Sequence, residues 1–277
     1  MTTYGITGAN GHYGTIARKL LDEKGIAYTA FVRDPSSVDF EATKLDYDNV
    51  QGNEFEGIDR LLFIPDARTE GREKALTDVI GTAAKNGVDF LVYVSFMGAD
   101  QNSPDPLAID HGFAEKLLEE SGLNYFSLRS AMYYENFLGS ADGYIMGGSV
   151  PSSSEDGRYS QAARDDLAEA AVNVLIADSP RTGVAELNAQ TLSTPEMVEI
   201  FNEVTGRDLK VDEMSHDEYA ATLAGLGLPE AAAKVFAAVD AATKQGVLDF
   251  ESSALEELLG RTPKSFEDAV REWAASR

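Results

Sequence analysis

Cysteine is absent from the 277 residues. That excludes a disulfide framework, a thiol nucleophile and a zinc-thiolate centre. Histidine is scarce: only His12, His111 and His216 occur, far apart in sequence, so no metal site is expected. Basic residues are few, with 23 Lys and Arg against 47 Asp and Glu, a formal net charge of −24. Such a surface disfavours nucleic acid and anionic membranes as direct partners. The acidity itself reads as a solvated, soluble exterior. Long hydrophobic runs are also missing. No stretch approaches the ~20 apolar residues of a membrane span. No apolar run precedes the first strand, so no signal peptide and no membrane insertion are expected, and the expected location is cytoplasmic.

What is present is enough apolar material for a sizeable core, at 43% of residues. The length suits one large domain or two joined ones. The most informative stretch is the beginning. Thr3 to Ile6 has a strand pattern, and three glycines follow as Gly8-x-x-Gly11-x-x-Gly14. Ile16, Ala17, Leu20 and Leu21 then mark one face of a helix. A strand, a glycine turn and a helix in this order predict a phosphate cradle. The first glycine permits the sharp turn, the second lets backbone approach a pyrophosphate, and the third lets helix and strand pack closely. The helix dipole favours the anion. Gly8, Ala9, Asn10, Gly11, His12, Tyr13 and Gly14 are the candidate cofactor loop.

Further strands are predicted at 27–32, 43–45, 60–64, 90–95 and 125–129, with helices over 70–86 and 108–121 between them. Alternation with short connections predicts an α/β fold with a doubly wound parallel sheet, whose ligand crevice lies at the carboxyl ends of the strands. Residues 139–160, rich in Gly, Ser and Pro, read as a long loop. A helix is expected over 165–177 and a further strand at 184–188. Ser193-Thr194-Pro195-Glu196 reads as a helix start with Pro just inside it. The remainder is expected to be mainly helical, over 195–205, 215–225, 229–245, 252–259 and 264–275. The expected division is a nucleotide-binding domain of 1–130 plus about 161–190, and a smaller subdomain of about 131–160 plus 191–277.

Candidate chemistry clusters at predicted strand ends. Arg33 ends the second strand, where a dinucleotide fold reads the adenosine ribose. Arginine there suits the 2′-phosphate of NADP, whereas the neighbouring Asp34 keeps NAD open. Ile64 and Pro65 follow the fourth strand, and Ser95, Phe96 and Met97 end the fifth. Phe96 and Met97 read equally as core or as cofactor contacts. His111 opens a helix near the crevice, either as a donor near neutral pH or as a capping or packing residue. Of Tyr133 and Tyr134, one could face the cofactor while the other packs. Arg164 could pair with Asp165 or Asp166 or hold the cofactor.

These pieces together resemble the NmrA-like branch of the atypical short-chain dehydrogenases, and within it the NADPH-dependent quinone oxidoreductase type 2 group. The matching segments are Ile6–Gly14, Val32–Pro35, Tyr93–Ser95, His111–Lys116, Leu128-Arg129 with Tyr133–Asn136, and Ala163–Asp166. Leu226–Pro229 and Leu258–Pro263 extend the match into the tail. The resemblance implies a Rossmann-like domain with a smaller helical C-terminal subdomain. It implies NADPH, more than NADH, held by the loop from Gly8, by Arg33 at the 2′-phosphate, and by Tyr133, Tyr134, Glu135, Asn136, Phe137 and Arg164.

One departure stands out. The Tyr-x-x-x-Lys pair of short-chain dehydrogenases is replaced by Leu107 and His111. Reaction with a quinone, whose reduced oxygens need little help from an acid, is therefore expected, with His111 and then Tyr133 as candidate catalytic donors. The alternatives are a non-catalytic NADP(H) sensor of the NmrA type and a reductase of another activated carbonyl or double bond. The expected partner is a small-molecule substrate, with a homo-oligomer left open.

Overall fold

The structure is a computed structural model describing residues 2–66, 68 and 70–277. The chain divides into two compact units. The first comprises the segments up to Gln101, Asp110–Ser130 and Leu167–Ala185. The second comprises Asn102–Ile109, Ala131–Asp166 and Glu186–Arg277.

The chain opens with β1 (Tyr4–Ile6), α1 (His12–Glu23), β2 (Tyr28–Val32), β3 (Thr43–Lys44), β4 (Arg60–Phe63), α2 (Arg72–Lys85), β5 (Phe90–Phe96), α3 (Pro106–Ser121) and β6 (Asn124–Ser130). It continues through β7 (Met132–Tyr133), α4 (Tyr134–Gly147), β8 (Ser149–Ser152), β9 (Arg158–Ala162), α5 (Arg164–Ile176), β10 (Gly183–Leu187) and β11 (Gln190–Ser193). The last elements are α6 (Thr194–Thr205), β12 (Lys210–Glu213), α7 (His216–Gly225), α8 (Glu230–Thr243), α9 (Ala254–Leu259) and α10 (Phe266–Ala275).

The main sheet has seven strands in the order β10-β6-β5-β4-β1-β2-β3. From β6 to β3 every pairing is parallel, with Gly5 opposite Leu61 on β4 and Thr29 on β2. The order reverses between β1 and β4, and in such a sheet that reversal opens the ligand crevice at the strands' carboxyl ends. The alternation of strand and helix expected from the sequence is therefore present. β5 is buried at all seven positions, as its unbroken apolar run requires of a strand covered on both faces. Phe31, Phe55, Leu61, Phe63, Val79, Leu91 and Tyr93 share one core.

The second unit carries a three-stranded sheet, β11-β9-β7, and a two-stranded one, β12-β8. Here the structure corrects the expected loop over 139–160, which is the end of α4 followed by β8 and β9. Gly139, Gly143 and Gly147 weaken helix propensity by about 1 kcal/mol each relative to alanine. Packing overrides that cost. Tyr134, Phe137, Leu138 and Ala141 of α4 are buried with Val150, Met197, Phe201 and Phe266. Gly148, at φ 75°, then closes the helix with its N–H on the Tyr144 carbonyl. The short strands β7, β11 and β12 were not foreseen. The helix start at Ser193 is as expected: its hydroxyl accepts from the Glu196 N–H, and the Glu196 carboxylate accepts from the Ser193 N–H at 2.7 Å.

Phe201 is fully buried, with its ring 5.6 Å from that of Phe137 and 5.3 Å from that of Trp273. Phe201→Ala is expected to cost about 3–5 kcal/mol, read as a lower denaturant midpoint for the tryptophan signal of the second unit.

Candidate functional site

The glycine loop is shaped by close approach. At Gly14 a Cβ would lie 2.3 Å from the Gly8 carbonyl oxygen and 2.8 Å from the Ala9 Cα. No side chain can stand there. Gly8 has φ +59°, a conformation that favours glycine. Helix α1 then begins at Gly11 with no side-chain cap and no acidic residue in its first turn. An uncapped helix start suits the pyrophosphate of a dinucleotide. Arg18 pins the loop from behind, donating Nε–H to the Ala9 carbonyl at 2.8 Å. Asn10 and His12 are exposed, while Ala9 is buried. The Tyr13 ring is spent structurally, its hydroxyl donating to the Leu167 carbonyl at 2.7 Å.

The loop after β4 locks onto the same turn. The Thr7 hydroxyl accepts from the Ile64 N–H at 2.9 Å, and the Ile64 carbonyl accepts from the Tyr47 hydroxyl at 2.9 Å. Beyond Pro65, Asp66 gathers cations. Arg68 binds its carboxylate in bidentate fashion, with Nε 2.8 Å from Oδ1 and Nη2 2.7 Å from Oδ2, and also pairs with Asp48. Arg33 Nη2 lies 3.5 Å from Asp66 Oδ2 and its side chain is 67% exposed. Arg72 donates Nη1–H to the Asp66 carbonyl at 2.7 Å. Asp34 is differently occupied. Its carboxylate accepts from the Ser36 hydroxyl at 2.7 Å and the Ser36 N–H at 2.9 Å, and those bonds lower its pKa.

His111 is buried, and both ring nitrogens are used. Arg72 Nη2 is 3.0 Å from Nε2, and the Tyr93 hydroxyl is 2.8 Å from Nδ1. A guanidinium has no acceptor, so Nε2 accepts. Nδ1 therefore carries the proton and donates it to the Tyr93 oxygen. Burial, and then the Arg72 charge, hold the imidazole pKa well below 6.5. His111 is thus neutral, with neither nitrogen left for a substrate in this arrangement. Arg72 Nε completes the group, 3.2 Å from Asp110 Oδ2 but out of hydrogen-bonding alignment.

At the end of β5 the side chains are also committed. The Ser95 hydroxyl donates to Glu115 Oε1 at 2.7 Å. Ser127 donates to the same oxygen at 2.6 Å, and Arg129 Nη2 is 2.6 Å from Oε2. Glu115 is thereby a buried, saturated carboxylate. Phe96 and Met97 are both buried, the Phe96 ring 6.1 Å from that of His111.

In the second unit, Tyr133, Glu135 and Arg164 come together. The Arg164 guanidinium lies over the Tyr133 ring at 4.7 Å. Both Glu135 oxygens accept from the Arg164 N–H, at 3.1 and 3.2 Å, which caps α5. Tyr133 is half-buried, and its hydroxyl makes no hydrogen bond to a described residue. Burial raises its pKa to about 12, so it keeps its proton at neutral pH. Tyr134 and Phe137, expected beside the cofactor, have their side chains in the core of the second unit. Their i, i+3 spacing on one helical face was the available signal. Asn136 is exposed.

Arg68 and Arg72 carry no reading in the sequence, and Tyr93 is read there only as part of a strand. The signal for the first two was a pair of arginines just past a strand end in a strongly acidic chain. Among the described residues, no His, Asp and Glu group is arranged to hold a metal. No helix among them is long and apolar enough to cross a membrane.

A doubly wound sheet with this glycine loop at its switch point defines a dinucleotide-binding protein. Residues 8–178 match the family described as NAD(P)H-binding, and the chain belongs to that family. Quinone oxidoreductase 2 of Escherichia coli (strain K12) is 29% identical over 275 residues, 96% of each chain. An NmrA-like family domain-containing oxidoreductase of Aspergillus flavus is 28% identical over 242 residues, 82% of this chain and 78% of that one. The crystal structure of the NADPH-dependent quinone oxidoreductase of Escherichia coli complexed with NADPH matches with a TM-score of 0.89 at 28% identity, covering 97% of this chain and 99% of that one. The chain is an NAD(P)H-binding oxidoreductase.

Gly14→Ala is expected to weaken NADPH binding by about 5- to 150-fold, since relieving the clash displaces the turn at a cost of about 1–3 kcal/mol. Fluorescence titration with NADPH reads the effect, and unchanged affinity would mean that the turn does not hold the cofactor. His111 generates a second expectation. Its folded pKa lies below the unfolded value of 6.5, so the unfolded chain takes up the proton first. Stability should fall as pH drops through about 6.5 and below. His111→Gln should flatten that part of the stability–pH curve in urea denaturation.

Proposed function

We propose that this protein reduces a quinone with NADPH. The observation that carries the reading is the state of His111. The position where the related dehydrogenases carry lysine holds a neutral imidazole whose two nitrogens are engaged within the fold. A substrate that needs a strong acid at its oxygen is poorly served there. A quinone is suited, because its reduced oxygens are far more acidic than an alcohol and can take protons late or from water. Similarity along nearly the whole chain to a quinone oxidoreductase supports the same reading.

NADPH, when bound, supplies the hydride. The chain's own residues hold, orient and stabilise. The turn at Gly8–Gly14 and the start of α1 take the pyrophosphate. Arg33 takes the 2′-phosphate through its planar fork. Asp34 has its carboxylate turned onto Ser36, which leaves it poorly placed to read a ribose 2′-hydroxyl and favours NADPH over NADH. Tyr133, protonated and with a hydroxyl that bonds to no described residue, donates to the quinone oxygen on which negative charge develops. Arg164 over its ring favours that charge. His111 acts indirectly, by holding Arg72 and with it the loop after β4.

The test is oxidation of NADPH and NADH, followed by nicotinamide absorbance, across a panel of benzo- and naphthoquinones. Saturable, quinone-dependent turnover with NADPH preferred is expected. Arg33→Ala should lower kcat/KM for NADPH by about 10- to 100-fold, as loss of charge-assisted hydrogen bonds does, with little change for NADH. Tyr133→Phe should lower kcat with NADPH affinity retained. Tight NADPH binding without turnover on any quinone would favour a redox sensor instead.

A further inference from the structure

Asp66 occupies an unusual place beside Arg33. Its carboxylate is held firmly by Arg68, with three contacts of 2.7–2.9 Å. It touches Arg33 only once, at 3.5 Å, and Arg33 remains 67% exposed. Arg68 is itself only 13% exposed and also bound to Asp48. The two cations are therefore unequal. Arg68 is locked between two carboxylates, while Arg33 is tethered to one of them by a single long contact.

We propose that Asp66 is a built-in counter-ion that competes with the cofactor's 2′-phosphate for Arg33, and so determines how strongly the protein discriminates NADPH from NADH. The inference rests on the reading of Arg33 as the 2′-phosphate binder. Geometry gives Asp66 its effect. Arg68 holds its carboxylate and Arg72 its carbonyl, so a phosphate arriving at Arg33 meets a carboxylate already held in place. A dianion on Arg33 must then sit a few ångströms from a fixed carboxylate. A ribose hydroxyl feels no such repulsion, and with it Arg33 keeps its tether. Asp66 thus weakens binding of the phosphorylated cofactor selectively. It also orients Arg33 in the empty protein, which limits the rotamer freedom that binding must remove. The net result is a phosphate reader that is aimed but not saturating.

Removing one charge at this range in a solvent-screened site corresponds to about three- to tenfold in affinity. The probes are 2′,5′-ADP and 5′-AMP, which differ only in the 2′-phosphate, titrated calorimetrically into the full chain. Asp66→Asn keeps the shape and the backbone contacts. It is expected to tighten 2′,5′-ADP about three- to tenfold and leave 5′-AMP unchanged, and to raise the NADPH-to-NADH ratio of kcat/KM by a similar factor. In the Arg33→Ala background the same substitution should have no effect, because the two residues act on one phosphate.

The failures separate. If the unmodified protein binds 2′,5′-ADP no better than 5′-AMP, the reading of Arg33 falls and the inference with it. If it does discriminate, but Asp66→Asn fails to tighten 2′,5′-ADP or tightens it equally without Arg33, the inference alone is overturned. Tightening of both nucleotides together would assign the effect to the loop as a whole and would likewise overturn it.

Discussion

The structure of the cofactor-binding half turns on one close approach: the backbone of α1 at Gly14 lies against the carbonyl of Gly8, with no room for even a methyl group. That contact brings the start of the helix up to the end of β1. It leaves the first turn uncapped and turned toward the switch point of the sheet. It also explains why the neighbouring segment is held so tightly. The Ile64 carbonyl lies 3.3 Å from where a Gly8 Cβ would stand, and it is fixed by Thr7 and Tyr47. Glycine loop and β4 loop are therefore one interlocked surface, and a displacement of either is felt in both.

Much of this was legible in the sequence, for a physical reason. Local patterns announce local structure. Three glycines at fixed spacing between a strand and a helix have few other uses, and the apolar run of Phe90–Phe96 fits a strand covered on both sides. Pro195 after Ser193 marked a helix start because proline costs nothing at a position whose N–H is unpaired anyway. The least legible element was α4. Its glycines argued for a loop, and only the burial of Phe137 and Leu138 among residues as distant as Phe266 makes it a helix.

The candidate site was legible by position more than by role. Arg33 falls at the end of β2, as the alternation implied. The state of His111 could not be read, because it depends on Arg72 and Tyr93, 39 and 18 residues away. A histidine with a guanidinium on one nitrogen and a phenol on the other is a neutral strut, whereas the same residue in water is a proton donor. Ser95 shows the same dependence. It ends a strand at the carboxyl edge of the sheet, yet its hydroxyl completes the shell of Glu115, which Ser127 and Arg129 also satisfy.

The concentration of Arg33, Arg68 and Arg72 around one loop has a kinetic meaning in a molecule carrying −24. At long range the protein's net negative charge opposes an anionic dinucleotide, and the attraction of the loosely paired Arg33 acts only near contact. Attraction is thus confined to the mouth of the site. Added salt screens the distant repulsion more than the near contacts. Encounter with the cofactor would then become faster, not slower, as ionic strength rises. That is the reverse of proteins that draw anions in with a broadly basic face.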